Sequence, residues 1–537
     1  MREWRIMLSS RFVRSLAFSV LCALALMAGA PRAFAQRGAG AQNAPAASGD
    51  TAPVPPETSS VTDHEFTLDG KTLRYAATAG TLLIDDADEK PYGSIFYVGY
   101  TLAGVTDPRT RPVTFLYNGG PGSASLWLHM GSLGPVRVVT SSPEATAAAP
   151  YQIVPNQYSL LDKSDLVFVD APGTGFSRPV GKATIHNFAG TDQDVQAFLK
   201  FIERYVGVNH RWNSPKFLYG ESYGTTRSAA LADALENDGV ALNGVILMST
   251  ILNYYTMAPG SDTLYIGNLP SYAAIAWHYE KVQHKGKDLT AFLNEVRAFA
   301  RGPYAEALAQ GQNLPAPQAD AIAAKLAGYT GLSEQFIKEA NLRVSPVRFR
   351  KELMRDKGLI LCRYDARFEG TDIDAAGENP GYDPSSTGIT GAFVSAFHDY
   401  LDRELKYTSK ETYFPRGPNI NQVWDHSHRP PAMAGAGGGQ GQPQPLREAY
   451  VAGDLADAMR KDPHLKVLSV NGLFDLATPF FITEYDLAHM ELAPKLRQNI
   501  EFQYYPSGHM IYLNVDALKQ LKTDLADFYT RAAPKAL

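Results

Sequence analysis

Gly220-Glu221-Ser222-Tyr223-Gly224 is the one G-x-S-x-G in the chain. It follows the strand-like Phe217-Leu218-Tyr219 and precedes an Ala- and Leu-rich helical stretch from Thr225 to Leu235. A serine in that context sits on a sharp strand-to-helix turn, its hydroxyl projecting at the carboxyl edge of a sheet. A hydroxyl is a weak nucleophile and needs a base, with a third group to orient that base. In sheets of this kind the acid and then the histidine follow the serine along the chain. The strand pattern Lys466–Val470 leads into Asn471-Gly472-Leu473-Phe474-Asp475, and Ile500–Tyr505 leads into Pro506-Ser507-Gly508-His509. Asp475 and His509 therefore both fall just past the carboxyl ends of strands, where open α/β sheets place their sites. Asp170 also follows a strand, but it precedes Ser222 and breaks the expected order.

An attacked carbonyl develops a negative oxygen that backbone N–H groups must hold. Asn118-Gly119-Gly120-Pro121-Gly122, directly after the strand Val113–Tyr117, can aim such amides, and those of Gly120 and Tyr223 are the expected pair. A phosphate-cradling loop would end in Lys-Ser or Lys-Thr, which this one does not. Asp425-His426-Ser427-His428 carries metal-ligand residue types but no further spaced ligands, so no metal is expected. The chemistry of a serine nucleophile asks for no organic cofactor either.

The elements that must position these residues alternate. Val113–Tyr117, Leu166–Val169, Phe217–Tyr219 and Val245–Met248 read as buried strands, and residues 191–206 as an amphipathic helix capped by Thr191 or Asp192. This order predicts an α/β fold, a mostly parallel central sheet with helices on both faces. Before it, Phe66–Leu68 and Lys71–Tyr75 flank Asp69-Gly70, a hairpin signal, and Tyr92–Tyr100 forms a further strand of an antiparallel edge. The alternation stops at residues 253–447, a mainly helical insertion read as a cap, with a Gly-rich flexible loop at 432–445. The core is thus expected in two parts, 62–252 and 448–537. The aromatic run Phe393–Tyr400 reads as packing.

The 537 residues are 45% hydrophobic and 20% charged, with a net charge of −5. That composition excludes a chain disordered throughout and argues against a strongly basic nucleic-acid binder. Arg2, Arg5, Arg11 and Arg14, the apolar run Leu16–Ala30 and Ala33-Phe34-Ala35 read as a signal peptide over residues 1–35. The run is short for a membrane span, so no stable membrane insertion is expected. Residues 36–61, rich in Ala, Gly, Pro, Ser and Thr, read as a disordered leader. Cleavage near Ala35 would leave Cys362 as the sole cysteine, a packed apolar residue with no disulfide partner, in a periplasmic or secreted product.

Asn118–Gly122 (NGGPG), Leu133–Pro135 (LGP), Gly220–Tyr223 (GESY), Gly472–Asp475 (GLFD) and Gly508–Met510 (GHM) resemble, in order, the motifs of the serine carboxypeptidase family of the α/β-hydrolase fold, here as a secreted bacterial member. The resemblance implies a peptidase that works through an acyl-enzyme, with Ser222, Asp475 and His509 as its triad. It implies that Asn118 and Glu221, with Gly119 beside them, bind the terminal carboxylate of the substrate. Two carboxylates in contact repel, so Glu221 would have to be protonated in that role. The chain departs from the family pattern at Ser123, where the family has Cys, at Ser132, where many members have Glu, and at Gly224-Thr225 after GESY. These changes touch the carboxylate-binding machinery more than the catalytic parts. The expected substrate is a peptide cut near its C-terminus, or a small acyl compound. The alternatives are an esterase, aminopeptidase or acyltransferase on the same scaffold, or a non-catalytic binding protein with a decayed site. The oligomeric state is left open.

Overall fold

The computed structural model describes residues 51–533 apart from 284–285, 287 and 432–442. The expected signal segment, the leader up to residue 50 and most of the 432–445 loop lie outside the described residues. Asp69 and Gly70, at φ 49° and 75°, make the two-residue turn joining β1 (Ser59–Leu68) to β2 (Lys71–Asp85). Positive φ at both central residues matches the right-handed twist of the flanking strands, which is why Asp-Gly serves here. β3 (Pro91–Leu102) pairs antiparallel with β2. The leader was expected to run to residue 61, but Ser59–Val61 already belong to β1, paired with Gly80, Ala79 and Thr78. Just before them, Glu57 accepts a hydrogen bond from the Leu83 amide (2.8 Å) and pairs with Arg204 (3.2 Å). Backbone pairing orders this segment where its small, polar side chains cannot.

β4 (Val113–Tyr117), β5 (Asp165–Val169), β6 (Lys216–Glu221), β7 (Gly244–Met248), β8 (Lys466–Gly472) and β9 (Ile500–Tyr505) complete the sheet. Its order is β1-β2-β3-β5-β4-β6-β7-β8-β9, with Arg178–Pro179 added beside β3. From β5 to β9 all neighbours are parallel. Side chains alternate between two apolar layers. Val113, Phe115, Tyr117, Leu218, Val245 and Leu247 face one, and Leu116, Phe217, Tyr219, Ile246 and Met248 face the other. A strand buried on both sides must be apolar at nearly every position, as β4 and β7 are.

Helices α1 (Thr191–Val208), α2 (Tyr223–Asn237), α3 (Thr263–His278), α4 (Leu289–Phe299), α5 (Ala316–Thr330), α6 (Pro384–Arg403), α7 (Ala452–Lys461), α8 (Phe480–Ala488) and α9 (Val515–Ala532) are the longer ones among the described residues. α1, α2 and α7 supply one layer, and α9 with α6 the other. The N-cap of α1 is Gly190 rather than Thr191 or Asp192. Asp192 is engaged elsewhere, accepting from the Arg429 amide (3.1 Å) and meeting His428 Nδ1 (2.6 Å).

Between β7 and β8 the chain leaves the sheet. α3, α4 and α5 build a separate apolar cluster around Leu269, Tyr272, Leu293, Val296, Leu326 and Phe349, joined to the core through Phe474 and Phe480. Phe393 and Phe397 of α6 pack on Trp127 and His129, so the aromatic run is packing, as read. His428, from the Asp-His-Ser-His motif, lies between Asp192 on α1 and Asp454 on α7 (3.0 Å). Burial works against its charged form, but the two carboxylates overcome it and hold the imidazole up at about 9. The motif thus ties this part of the chain to two core helices. Cys362 is buried, its Sγ donating to the Phe368 carbonyl (3.1 Å). No helix among the described residues is long and apolar enough to cross a membrane.

At the start of β5, buried Asp165 takes hydrogen bonds from Arg111 (2.8 Å), Arg211 and the Leu102 amide (3.0 Å). Removing the carboxylate leaves two buried guanidinium groups unpaired. Asp165→Ala is expected to cost about 3–5 kcal/mol, read as a lower midpoint in urea unfolding. A midpoint within error of the unsubstituted protein would show that the two arginines find other partners.

Candidate active site

Ser222 lies between β6 and α2 at φ 61°, ψ −129°. A non-glycine residue with such angles is strained and persists only where its surroundings over-determine it. Here the Ser222 amide donates to the Met248 carbonyl (3.0 Å), and its carbonyl accepts from the Thr225 amide (2.8 Å) and hydroxyl (2.7 Å). Gly220 is required beside it, since a Cβ there would lie 2.1 Å from the Gly224 carbonyl oxygen. The turn leaves Ser222 half-buried, on the wall of a cavity of about 660 Å³ counted with its open mouth. Its hydroxyl has no hydrogen-bond partner among the described residues.

His509 lines the same cavity. Its backbone is pinned on both sides, the amide donating to the Tyr364 carbonyl (2.6 Å) and the carbonyl accepting from Ser249 Oγ (2.6 Å). The ring is buried, and Nδ1 meets Asp475 Oδ2 at 2.7 Å. Asp475 is fully buried and accepts from the Ala477 amide (2.7 Å), the Thr478 amide (3.1 Å) and the Thr478 hydroxyl (2.7 Å). A carboxylate so held accepts the Nδ1 proton, which leaves Nε2 as the basic nitrogen. Burial opposes the imidazolium, but Asp475, with Glu221 adding to it, raises the His509 pKa above its ordinary value.

Glu221, the last residue of β6, is buried against this pair. Burial pushes its carboxyl up to about 7, and His509, the Tyr512 hydroxyl and the Asn118 amide moderate the rise. Tyr512 donates to Glu221 Oε2 at 2.9 Å. Asn118 is held by the Leu128 amide, which donates to its Oδ1 (2.9 Å). Ser132 does not reach Glu221. Its hydroxyl donates to the Leu128 carbonyl (2.5 Å), so Tyr512, rather than a second carboxyl, is the partner of Glu221.

Gly119 and Gly120 bring the loop after β4 to the same place. A Cβ on Gly119 would lie 2.4 Å from the Tyr223 nitrogen, and Gly120 adopts φ 112° while lining the cavity. Tyr223 is the first residue of α2, whose first-turn amides have no helical partner. Asp170, the rival acid, accepts from the Ser125 amide (2.7 Å) and so holds the far end of this loop. All eight site residues expected from sequence, Ser222, Asp475, His509, Gly120, Tyr223, Asn118, Gly119 and Glu221, lie in or directly beneath this one region. Glu221 closes β6, and the other seven follow the carboxyl end of β4, β6, β8 or β9.

Sequence reasoning missed what lies behind it. Arg227 on α2 is fully buried, paired with Asp194 of α1 (2.7 Å) and donating to the Asn118 carbonyl (3.0 Å). Tyr223 also donates to Asp194 (3.0 Å). One ion pair thus fixes α1, α2 and the root of the Gly-rich loop together. An arginine inside the Ala-rich helix Thr225–Leu235 was the only available signal. Thr478 and Tyr512 are three residues past Asp475 and His509, with nothing in their spacing to mark them.

Residues 72–261 match the serine carboxypeptidase family. Among curated proteins, serine carboxypeptidase-like 33 of Arabidopsis thaliana is 32% identical over 133 residues, 24% of this chain and 26% of that protein. The pheromone-processing carboxypeptidase KEX1 of Saccharomyces cerevisiae is 30% identical over 162 residues, 28% of this chain and 21% of that protein. The matched stretch therefore spans about a quarter or less of these relatives. The crystal structure of KEX1ΔP, a prohormone-processing carboxypeptidase from the same yeast, superposes with a TM-score of 0.51 at 16% identity, over 85% of this chain and 91% of that one. The fold is that of the α/β-hydrolases.

Since the Tyr512 hydroxyl stabilises the Glu221 carboxylate, Tyr512→Phe is expected to move the Glu221 midpoint above about 7. The carboxyl carbon resonance, assigned by its loss in Glu221→Gln, reports that midpoint in a pH titration. A midpoint that stays or falls would remove Tyr512 from this role.

Proposed function

We propose that this chain is a serine-type carboxypeptidase that cleaves peptides near the C-terminus through an acyl-enzyme. The serine carboxypeptidase match of residues 72–261 is the premise. The observation that carries the reading is one cavity lined by Ser222, His509 and Glu221, with the Glu221 carboxyl raised to about 7.

Ser222 Oγ attacks the scissile carbonyl while His509 Nε2 takes its proton. Asp475 orients the ring through Nδ1 and stabilises the imidazolium. The amides of Gly120 and Tyr223 hold the negative oxygen. The proton passes from His509 to the departing amine, and the acyl group stays on Ser222. Water, deprotonated by the same nitrogen, then releases the acid. Asn118 and a protonated Glu221 receive the terminal carboxylate, with Gly119 supplying close backbone approach.

Two protonation demands oppose each other. Glu221 must hold its proton, which it does progressively below about 7. His509 must have lost its own, and its raised pKa works against that at low pH. Activity on free peptides is therefore confined between the two. Ser132, whose hydroxyl is spent on the Leu128 carbonyl, favours looser carboxylate recognition and keeps an esterase, aminopeptidase or acyltransferase as the second reading. A basic head, an apolar run and Ala33-Phe34-Ala35 support export, with cleavage near Ala35 and a periplasmic or secreted product.

A fluorophosphonate probe is expected to label Ser222, and Ser222→Ala to lower turnover by on the order of 10⁴-fold with the fold intact. Near-normal turnover in that variant ends the proposal. Equal rates on free and C-terminally amidated peptides would select the second reading. Glu221→Gln, neutral at every pH, is expected to extend activity on free peptides above pH 7. An unchanged profile removes Glu221 from carboxylate recognition.

A further inference from the structure

The segment Phe414–Gly417 runs along the Gly-rich loop. Phe414 exchanges backbone hydrogen bonds with Gly175 (2.7 and 3.0 Å), the Ala124 amide donates to the Pro415 carbonyl (3.0 Å), and the Gly417 amide donates to the Gly122 carbonyl (2.9 Å). Arg416, at the centre, is bridged antiparallel to Ser123. Its backbone is therefore registered against the same loop that presents Gly120. Its exposed side chain lines the cavity of Ser222.

Among the described residues the guanidinium makes one hydrogen bond, to the Ser386 hydroxyl of α6 (3.3 Å), and no ion pair. The other charged groups on the cavity wall are committed. Asp365 is held by Arg367 through two hydrogen bonds (3.0 and 2.5 Å), His509 by Asp475, and Glu221 by Tyr512. None of the backbone bonds of the strap requires a cation at position 416. A guanidinium fork on the wall of the cavity that Ser222 also lines, with no protein carboxylate to meet it, matches a planar carboxylate in two-point geometry. The loss of a second carboxyl at Ser132 leaves substrate carboxylate recognition to other groups on this wall.

We propose that Arg416 is a specificity-determining residue that pairs with a carboxylate of the bound peptide. The inference rests on the peptidase reading and adds a residue to it. The carboxylate can be the terminal one or that of an acidic side chain, and both present the same fork-matching oxygens.

The test measures binding apart from turnover. Calorimetry compares Ser222→Ala with Ser222→Ala/Arg416→Gln on three N-blocked peptides: a neutral one with a free C-terminus, the same peptide amidated, and an amidated peptide ending in Glu. Arg416→Gln is expected to weaken a carboxylate-bearing peptide on the order of tenfold more than the amidated neutral one, the size of one charge-assisted hydrogen bond. Arg416→Lys should recover part of the loss, since it keeps the charge but not the fork. Whether the free-acid or the Glu peptide responds identifies the source. Equal shifts on all three peptides, no shift, or no peptide binding overturns the proposal. Wild-type hydrolysis without any dependence on Arg416 sinks this inference alone. Arg416-dependent binding by a protein that neither hydrolyses peptides nor takes a fluorophosphonate sinks the catalytic reading alone.

Discussion

A serine held at φ 61° between a strand and a helix is the constraint on which the rest of the site depends. The turn is unfavourable in itself, so neighbouring elements must enforce it. β7 does so through the Met248 carbonyl, and α2 through Thr225. Gly220 and Gly119 then let two backbones close to distances that any side chain would forbid. Behind them the buried Arg227–Asp194 pair, joined by two hydrogen bonds, locks α1 to α2 and to the Asn118 carbonyl. A charge pair in such a place gives little net stability but allows few alternative arrangements, which suits a turn that must not relax.

Glu221 and His509 are bound by a second constraint. They share one buried space, and each alters the proton affinity of the other. The Glu221 carboxylate favours the charged imidazole, and the charged imidazole favours the carboxylate, while burial opposes both. The partner that Glu221 finds in this space is a hydroxyl, that of Tyr512. A hydroxyl donates to the ionised form and cannot share a proton as another carboxyl would, so Tyr512 favours the carboxylate form of Glu221.

Much of this was legible in the residues. Asp69-Gly70, the period-two apolar strands and the G-x-S-x-G turn are local signals, and each acts within a few residues. Asp475 and His509 could be read because a parallel sheet places functional groups just past its carboxyl ends, so strand ends mark them. What could not be read depends on contacts across the fold. Arg227 meets Asp194 only because two helices pack, Tyr512 meets Glu221 from the far end of the chain, and the 414–417 strap reaches the Gly-rich loop from inside the insertion. The leader was misread for a related reason. Residues 59–61 are ordered by the backbone of β2, and composition does not register that partner.

The sheet is interrupted by residues 249–465, and β7 finds its neighbour β8 only after that long excursion. Bringing such distant segments together costs chain entropy that nothing local repays. During synthesis the emerging polypeptide thus carries Ser222 long before it carries Asp475, His509 or the far wall of the pocket. The cavity that Ser222 lines is therefore complete only once His509, beyond the last strand of the sheet, has been made.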